Sequence, residues 1–312
     1  MPHQIPIYLD GLIQDGSSTT LGSLQFKIKL DEIRILIDIN NFETDMNLIL
    51  LKNFIKNYIR NTKFYAIFLL KPLKKEYIDK KDYTSSHFNK GEDYHVKFEN
   101  LPGRKIMWDL EKKIINNFLI NKEIYNHLDF AAGTGRIAKF LENNIKEQYL
   151  LDSSKKMLEY AKKILDAKKS SFIEDDFTKI NLNKKFDLIT AFRFFPNAEY
   201  FLREKAMKFI SEHLTDNGIL IINNHYNFWS IPFFFSRLTF RNNGFGMTHG
   251  EIVKLVKANN LKIYQYKSVG LLTNKDKSSI IPWGFISKFE NYFYKKKSNH
   301  LMGYNVIYLI GR

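Results

Sequence analysis

The sequence predicts an α/β protein, and three observations carry that prediction. From Tyr125 onward, apolar runs of strand length alternate with longer stretches whose apolar residues recur at helical spacing. Within that region, His127 to Asp152 (HLDFAAGTGRIAKFLENNIKEQYLLD) reads as strand, glycine loop, helix and second strand. The second strand ends in an acid, Asp152, which is thereby delivered to the same edge of the sheet as the glycine loop.

The chain before this region differs in pattern. Leu24–Leu30 alternates apolar and polar residues as a half-buried strand does, and Ile33–Ile39 is a second strand rich in β-branched residues. The two-residue connection Asp31-Glu32 predicts a hairpin. Residues 44–58 place Met46, Ile49, Leu50, Phe54 and Tyr58 at helical spacing, and residues 64–70 suit a third strand. Residues 1–70 therefore read as a small ββαβ accessory domain without a catalytic constellation. Residues 71–91, charged and poor in aliphatics, read as a linker, and residues 92–312 as the main domain.

Composition excludes several function classes. The 312 residues include no cysteine, so disulfides, thiolate nucleophiles and thiolate metal sites are out, which suits a cytoplasmic protein. The start carries no basic region followed by an apolar core, and the longest apolar run, residues 64–70, is too short to span a bilayer. The eight histidines are dispersed, and no pair sits at ligand spacing with a carboxylate, so no metal is expected. The net charge of +15 is uneven: residues 201–312 hold 16 basic and 6 acidic groups. Such a region can attract nucleic acid, but the lysines are mostly scattered singly or in pairs, which suits solvated faces better.

In the glycine loop, Ala131-Ala132-Gly133-Thr134-Gly135 supplies small residues where the backbone turns sharply, and the helix predicted over 136–144 presents its first amides to a ligand. The spacing Gly-x-Gly-x-x-Gly of a dinucleotide-binding loop is absent, because no glycine lies three residues after Gly135. Asp129-Phe130-Ala131-Ala132-Gly133-Thr134-Gly135-Arg136 resembles the first motif of the class I S-adenosylmethionine-dependent methyltransferases, acid-x-Gly-x-Gly-x-Gly, with Ala131 in place of the first glycine. The resemblance implies a Rossmann-like seven-stranded sheet of order 3-2-1-4-5-7-6 over residues 92–312, with S-adenosylmethionine as cofactor.

The resemblance extends to further stations in the same order. Asp152-Ser153-Ser154-Lys155-Lys156-Met157-Leu158 is similar to the family's acid-x-Ser-x-x-Met-Leu, which implies that Asp152, beside Ser153, accepts the ribose hydroxyls and that Met157 lies against adenine. After the strand predicted over 171–174, Asp176, with Asp175 as the alternative, would accept the adenine amino group while Phe177 packs on the ring. The strand from Phe186 ends at Phe192 and Arg193, where the family's sheet faces cofactor and acceptor. Upstream, Tyr94 and Arg104, the latter opening a helix over 104–119, are candidates for a lid over the methionine end. The Asn/Asp-Pro-Pro-Tyr/Phe motif of certain amine methyltransferases is missing from Arg193-Phe194-Phe195-Pro196-Asn197, which argues against base or glutamine N-methylation.

A helix over 199–214 is followed by the turn Thr215-Asp216-Asn217-Gly218, where Gly218 is expected to take a positive φ, and by a strand over 219–223. The aromatic stretch beyond it, including Phe233, Phe234, Phe235 and Phe240, reads mainly as packing, with one or two rings facing the ligand. Thr248 and Glu251 form a capping box, and strands over 262–269 and 303–310 complete the sheet. For an acceptor hydroxyl a base helps, and His225, then His249, are the candidates. The reading is a methyltransferase acting on a hydroxyl or amine of a small molecule such as a sugar or secondary metabolite. The alternatives are an RNA methyltransferase using the basic last third and a non-catalytic cofactor-binding scaffold.

Overall fold

The computed structural model of the chain describes residues 24–30, 33–39, 96, 100–238, 246–272, 279, 281–296 and 301–312. The chain divides into two compact units, Met1–Ile67 and Phe68–Arg312. In the first, strands β1 (Leu24–Leu30) and β2 (Ile33–Ile39) pair antiparallel, with Leu30 opposite Ile33. The helix expected over 44–58, the strand over 64–70 and the linker over 71–91 lie outside the described residues.

The second unit is built on a seven-stranded sheet. Its elements are α1 (Pro102–Leu119), β3 (Asn126–Phe130), α2 (Arg136–Leu141), β4 (Glu147–Asp152), α3 (Lys155–Ile164), β5 (Ser170–Glu174), β6 (Phe186–Ala191), α4 (Tyr200–His213), β7 (Leu214–Asn224), α5 (Ile231–Leu238), α6 (His249–Lys257), β8 (Lys262–Val269), α7 (Trp283–Lys295) and β9 (Asn305–Gly311). The spatial order is β5-β4-β3-β6-β7-β9-β8, which is the order 3-2-1-4-5-7-6 expected from the sequence. Strands β5 to β7 run parallel, and β9 is inserted antiparallel between β7 and β8.

Alternation along the strands separates two cores. Ile189, Ala191, Leu220, Ile222, Val306 and Tyr308 face α4 and α6, whereas Leu188, Ile219, Ile221, Ile307 and Leu309 face α1 and α2. Helix α1 shows how a sequence chooses such a face. Pro102 sits at the first turn, where a missing N–H is harmless, so the helix opens two residues before Arg104. Leu110, Ile114 and Phe118 then form an i, i+4, i+8 stripe that buries against the sheet. Burying each is worth roughly 1.5–3 kcal/mol. Glu111 and Ile115 share that buried side, so one carboxylate lies within an apolar face.

Three details depart from the sequence reading. Strand β7 begins at Leu214, directly after α4, and residues 215–218 bulge out between the pairs Phe186↔Leu214 and Leu188↔Ile219. Gly218 is not among the residues with positive φ. Its requirement is space: a Cβ there would lie 2.8 Å from the Phe186 carbonyl oxygen and 2.9 Å from the Thr215 amide nitrogen. Helix α2 ends at Leu141 and tightens into a 3₁₀ turn over Glu142–Asn144. The capping box on α6 is present: Thr248 Oγ1 accepts from the Glu251 amide, and the Glu251 carboxylate accepts from the Thr248 amide.

Candidate active site

A cleft opens at the carboxyl ends of β3, β4, β5 and β6, where the parallel strands hand over to their loops. The loop after β3 makes its floor. Ala131, Gly133 and Gly135 take φ of 52°, 56° and 71°, three left-handed turns within five residues. The two glycines serve different ends. A Cβ at Gly133 would meet nothing within 4 Å, so that position opens onto free space. A Cβ at Gly135 would lie 3.0 Å from Leu150 and Leu165 and 3.1 Å from Ala161, so Gly135 lets α2 press onto β4 and α3 and does not itself line the cleft.

Asp152 stands at the end of β4 and ties the two loops together. Its Oδ2 accepts from the Gly133 amide at 2.7 Å and its Oδ1 from the Ser154 amide at 2.8 Å. Each oxygen keeps one further acceptor position, which suits a pair of neighbouring hydroxyls. Burial pushes its carboxyl up, against the pull of those two amides. Ser154 occupies the N-cap of α3 without a side-chain cap bond, and its own amide donates to Asp152.

Asp129 is buried beneath the loop. Its Oδ2 accepts from the Ala138 amide of α2 at 3.3 Å, and its Oδ1 from the Thr190 hydroxyl at 2.8 Å. An early amide of α2 is therefore answered from inside the fold. The Thr190 hydroxyl has one proton and gives it to Asp129, so His127 Nε2, 2.8 Å away, carries a proton and donates to Thr190. Burial lowers His127 to about 3, which keeps it neutral, and raises Asp129 to about 7.

The remaining walls come from β4, β5 and β6. Ser153 is exposed at the rim, and Met157 is buried in α3 with its side chain at the cleft. Asp175 and Asp176 both line it. Asp176 Oδ1 is engaged by the Thr178 amide and hydroxyl, each at 2.9 Å, and its Oδ2 lies 3.8 Å from the Lys179 ammonium in an ion pair. Phe177 packs edge-on to Phe130 at 5.0 Å and presents itself to the cleft. Phe192 and Arg193 close the far side, with Thr134, Phe194, Asn197 and Leu202. Arg193 holds a left-handed φ of 62° without being a glycine.

Three sequence candidates lie elsewhere, and a fourth has no described position. Tyr94 is outside the described residues. Arg104 is half-buried on α1 and does not line the cleft. His249 opens α6 and packs on β9 and β8: its ring stacks on Tyr308 at 5.7 Å, Nδ1 lies 3.1 Å from the Tyr308 hydroxyl, and burial lowers its pKa. That places it against Tyr308 and Tyr266, outside the cleft wall. His225 follows β7, buried against Tyr226, and reaches toward the cleft through Asn197, whose Nδ2 is 3.4 Å from its Nε2. Among the described residues from Asn224 to Phe234 none lines the cleft. Phe233 packs into Phe228 and Tyr304 instead.

The sequence reading passed over Arg136, Glu111, Asn223 and Asn305. Arg136 lines the cleft, lies 3.9 Å over the Trp108 ring and donates to Glu111 Oε2 at 2.9 Å. The signal was a carboxylate on the apolar stripe of α1 and an arginine directly after the glycine loop.

The sheet order, the left-handed glycine loop and the acid at the end of the next strand together define a class I S-adenosylmethionine-dependent methyltransferase fold. Residues 121–278 match the family described as methyltransferase domain, and the chain belongs to that family. No curated protein matches the sequence. Among solved structures, a TehB-like S-adenosylmethionine-dependent methyltransferase from Corynebacterium glutamicum is similar at 15% identity, over 65% of this chain and 87% of that one, with a TM-score of 0.44. An S-adenosylmethionine-dependent methyltransferase from Clostridium acetobutylicum is similar at 18% identity, over 65% and 91%, with a TM-score of 0.42. The N-methyltransferase NodS from Bradyrhizobium japonicum, in complex with S-adenosyl-L-homocysteine, is similar at 9% identity, over 76% and 96%, with a TM-score of 0.47.

Proposed function

We propose that this methyltransferase transfers the methyl group to a hydroxyl or amine of a small molecule, with hydroxyl favoured. The observation that carries the choice is the charge of the cleft. Asp152, Asp175 and Asp176 line it against two cations, Arg136 and Arg193, and Arg136 is ion-paired with Glu111. An acidic cleft suits a cofactor bearing a sulfonium and repels a polyphosphate backbone, so the RNA reading loses support where the chemistry would occur. Apolar walls with a few placed polar groups are what small ligands use.

The cleft fits the cofactor. Asp152 would receive the ribose hydroxyls on its two remaining acceptor positions, Met157 and Phe177 would sandwich the adenine, and Asp176 would accept its amino group. The open space at Gly133 lets the backbone approach the ligand closely. Bound S-adenosylmethionine supplies an electrophilic methyl on sulfur, so the chain's own task is to hold an acceptor in line with it and exclude water. Phe192, Phe194 and Leu202 exclude water on the acceptor side, and the Asn197 amide, held by the Arg193 carbonyl at 2.7 Å, orients the acceptor. His225 backs Asn197 and is a positioning residue in this reading, and His249 takes no part.

Calorimetric titration with S-adenosylmethionine, comparing wild type with Asp152→Ala, tests the cofactor site. Micromolar binding that drops at least a hundredfold in the variant is expected. Radiolabelled methyl transfer to panels of small hydroxyl and amine acceptors, run beside transfer to RNA, tests the acceptor. Incorporation into RNA alone would overturn the small-molecule reading.

A further inference from the structure

We infer that a buried relay of side chains joins the cofactor side of the cleft to its acceptor side, and that Glu111, Asn305 and Asn223 are positioning residues for both. The inference rests on the reading that the cleft holds S-adenosylmethionine. The relay begins at the strained residue after β6. The Arg193 amide donates to Asn223 Oδ1 at 2.6 Å, Asn223 Nδ2 donates to Asn305 Oδ1 at 3.1 Å, and Asn305 Nδ2 donates to Glu111 Oε1 at 2.7 Å. From the opposite end, Arg136 Nη1 donates to Glu111 Oε2 at 2.9 Å, with Trp108 stacked on the guanidinium. Glu111, Asn223 and Asn305 are each at most 2% exposed.

The chemistry of the two ends fixes the sense of every bond. A backbone N–H can only donate, so Asn223 must turn its oxygen toward Arg193 and its amide nitrogen away. That nitrogen needs an acceptor, which turns the Asn305 oxygen toward it and leaves the Asn305 nitrogen needing one in turn. A carboxylate, which only accepts, terminates the row, and its second oxygen is left for the one side chain that can only donate, Arg136. Bonds so aligned reinforce one another in a dry interior, and a single missing member leaves a buried group unsatisfied. A glutamine at 111 would bring a donor into a place that faces donors from both directions.

What the relay holds in place is consequential. Arg193 keeps φ at 62°, a region unfavourable for a non-glycine residue, and Asn223 grips the amide of that residue. Its carbonyl in turn holds Asn197. Releasing the grip lets the backbone relax toward negative φ, swinging Phe192, Arg193 and Asn197 away from the cleft wall. At the other end, Arg136 would lose the partner that keeps its guanidinium flat on Trp108 beside the glycine loop. The acceptor-side wall and the cofactor loop therefore share one anchor on α1.

The test is the affinity for S-adenosyl-L-homocysteine, by calorimetry on the full chain, with urea unfolding and circular dichroism run in parallel. Wild type, Glu111→Gln and Asn223→Ala are compared, and Asn223→Ala is repeated on an Arg193→Gly background, where glycine adopts the left-handed turn without help. Glu111→Gln and Asn223→Ala are each expected to weaken binding about tenfold in folded protein. On the Arg193→Gly background, the same Asn223→Ala change is expected to cost less than twofold, a rescue that a purely structural role would not give. If the alanine variant unfolds, Asn223→Ser, which leaves a smaller void, serves the same comparison. Unchanged affinity in folded Glu111→Gln and Asn223→Ala, or an equal loss on both backgrounds, would overturn the relay. Failure of wild type to bind at all would overturn the cofactor reading itself.

Discussion

Asp129 and His127 show how two neighbouring residues can hide each other's effect on stability. Burial pushes the Asp129 carboxyl up from 3.8 to about 7, although Thr190, Ala138 and Arg136 pull it down. Between those values the folded chain keeps a proton that the unfolded chain has released, so stability falls as pH rises through the window. His127 has the opposite sign. Burial lowers it from 6.5 to about 3, the unfolded chain takes up a proton first, and stability is lost as pH falls below 6.5. From pH 4 to 6.5 the two slopes, each up to roughly 1.4 kcal/mol per pH unit, offset one another. Relative to wild type, His127→Gln should therefore lose stability as pH rises across that range, by on the order of 1 kcal/mol per unit. Asp129→Asn should gain by a similar amount, because the histidine is then left unopposed. Urea unfolding at a series of pH values measures both, and difference curves flat with pH would refute the assignment.

At the scale of an element, the glycine loop separates two demands that its sequence merges. Gly133→Ala adds a methyl to open space and incurs only the left-handed penalty, about 1–2 kcal/mol of stability, yet it should weaken binding of S-adenosyl-L-homocysteine strongly, because the methyl intrudes into the cleft. Gly135→Ala bears the same penalty and also forces Leu150, Leu165 and Ala161 apart, so it should cost a further 1–3 kcal/mol. Thermal unfolding and calorimetry on the pair check this, and equal losses of stability would contradict it. The loop also shows what could be read in advance. Small residues between an apolar strand and a helix announce a sharp turn, and an acid ending the next strand announces its partner, because both follow from local chemistry. Alternation and helical spacing likewise gave most of the described strands and helices, though not α7, whereas the strand order came from the family resemblance. The start of β7 at Leu214 was not legible, because the bulge over 215–218 is set by pairing with β6. Nor were Glu111, Asn223 and Asn305, which lie 112 and 82 positions apart along the chain and meet only when the sheet is complete. His249 illustrates the converse: a histidine near a helix start looks chemically available until Tyr308 and Tyr266 are packed on it.

For the whole molecule, every described residue lining the cleft falls between Asp129 and Leu202, within the unit Phe68–Arg312. We propose that residues 1–70 act as a separate accessory domain, so ligand binding should report on one unit and leave the other alone. A ligand that binds only the folded form stabilises it by about 2.7 kcal/mol at a hundred times its Kd. For a unit of this size, at about 2–4 °C per kcal/mol, that corresponds to a rise of roughly 5–11 °C in the unfolding midpoint. Scanning calorimetry of the full chain should therefore show the transition of the cleft-bearing unit moving upward with S-adenosyl-L-homocysteine, in step with the logarithm of its concentration. Any transition belonging to Met1–Ile67 should stay where it is. A single transition that moves as a whole would mean the two units unfold together, and the division of the chain into accessory and catalytic domains would then fail energetically. Repeating the scan with Asp152→Ala ties the shift to the cleft, since the same concentrations should then move no transition.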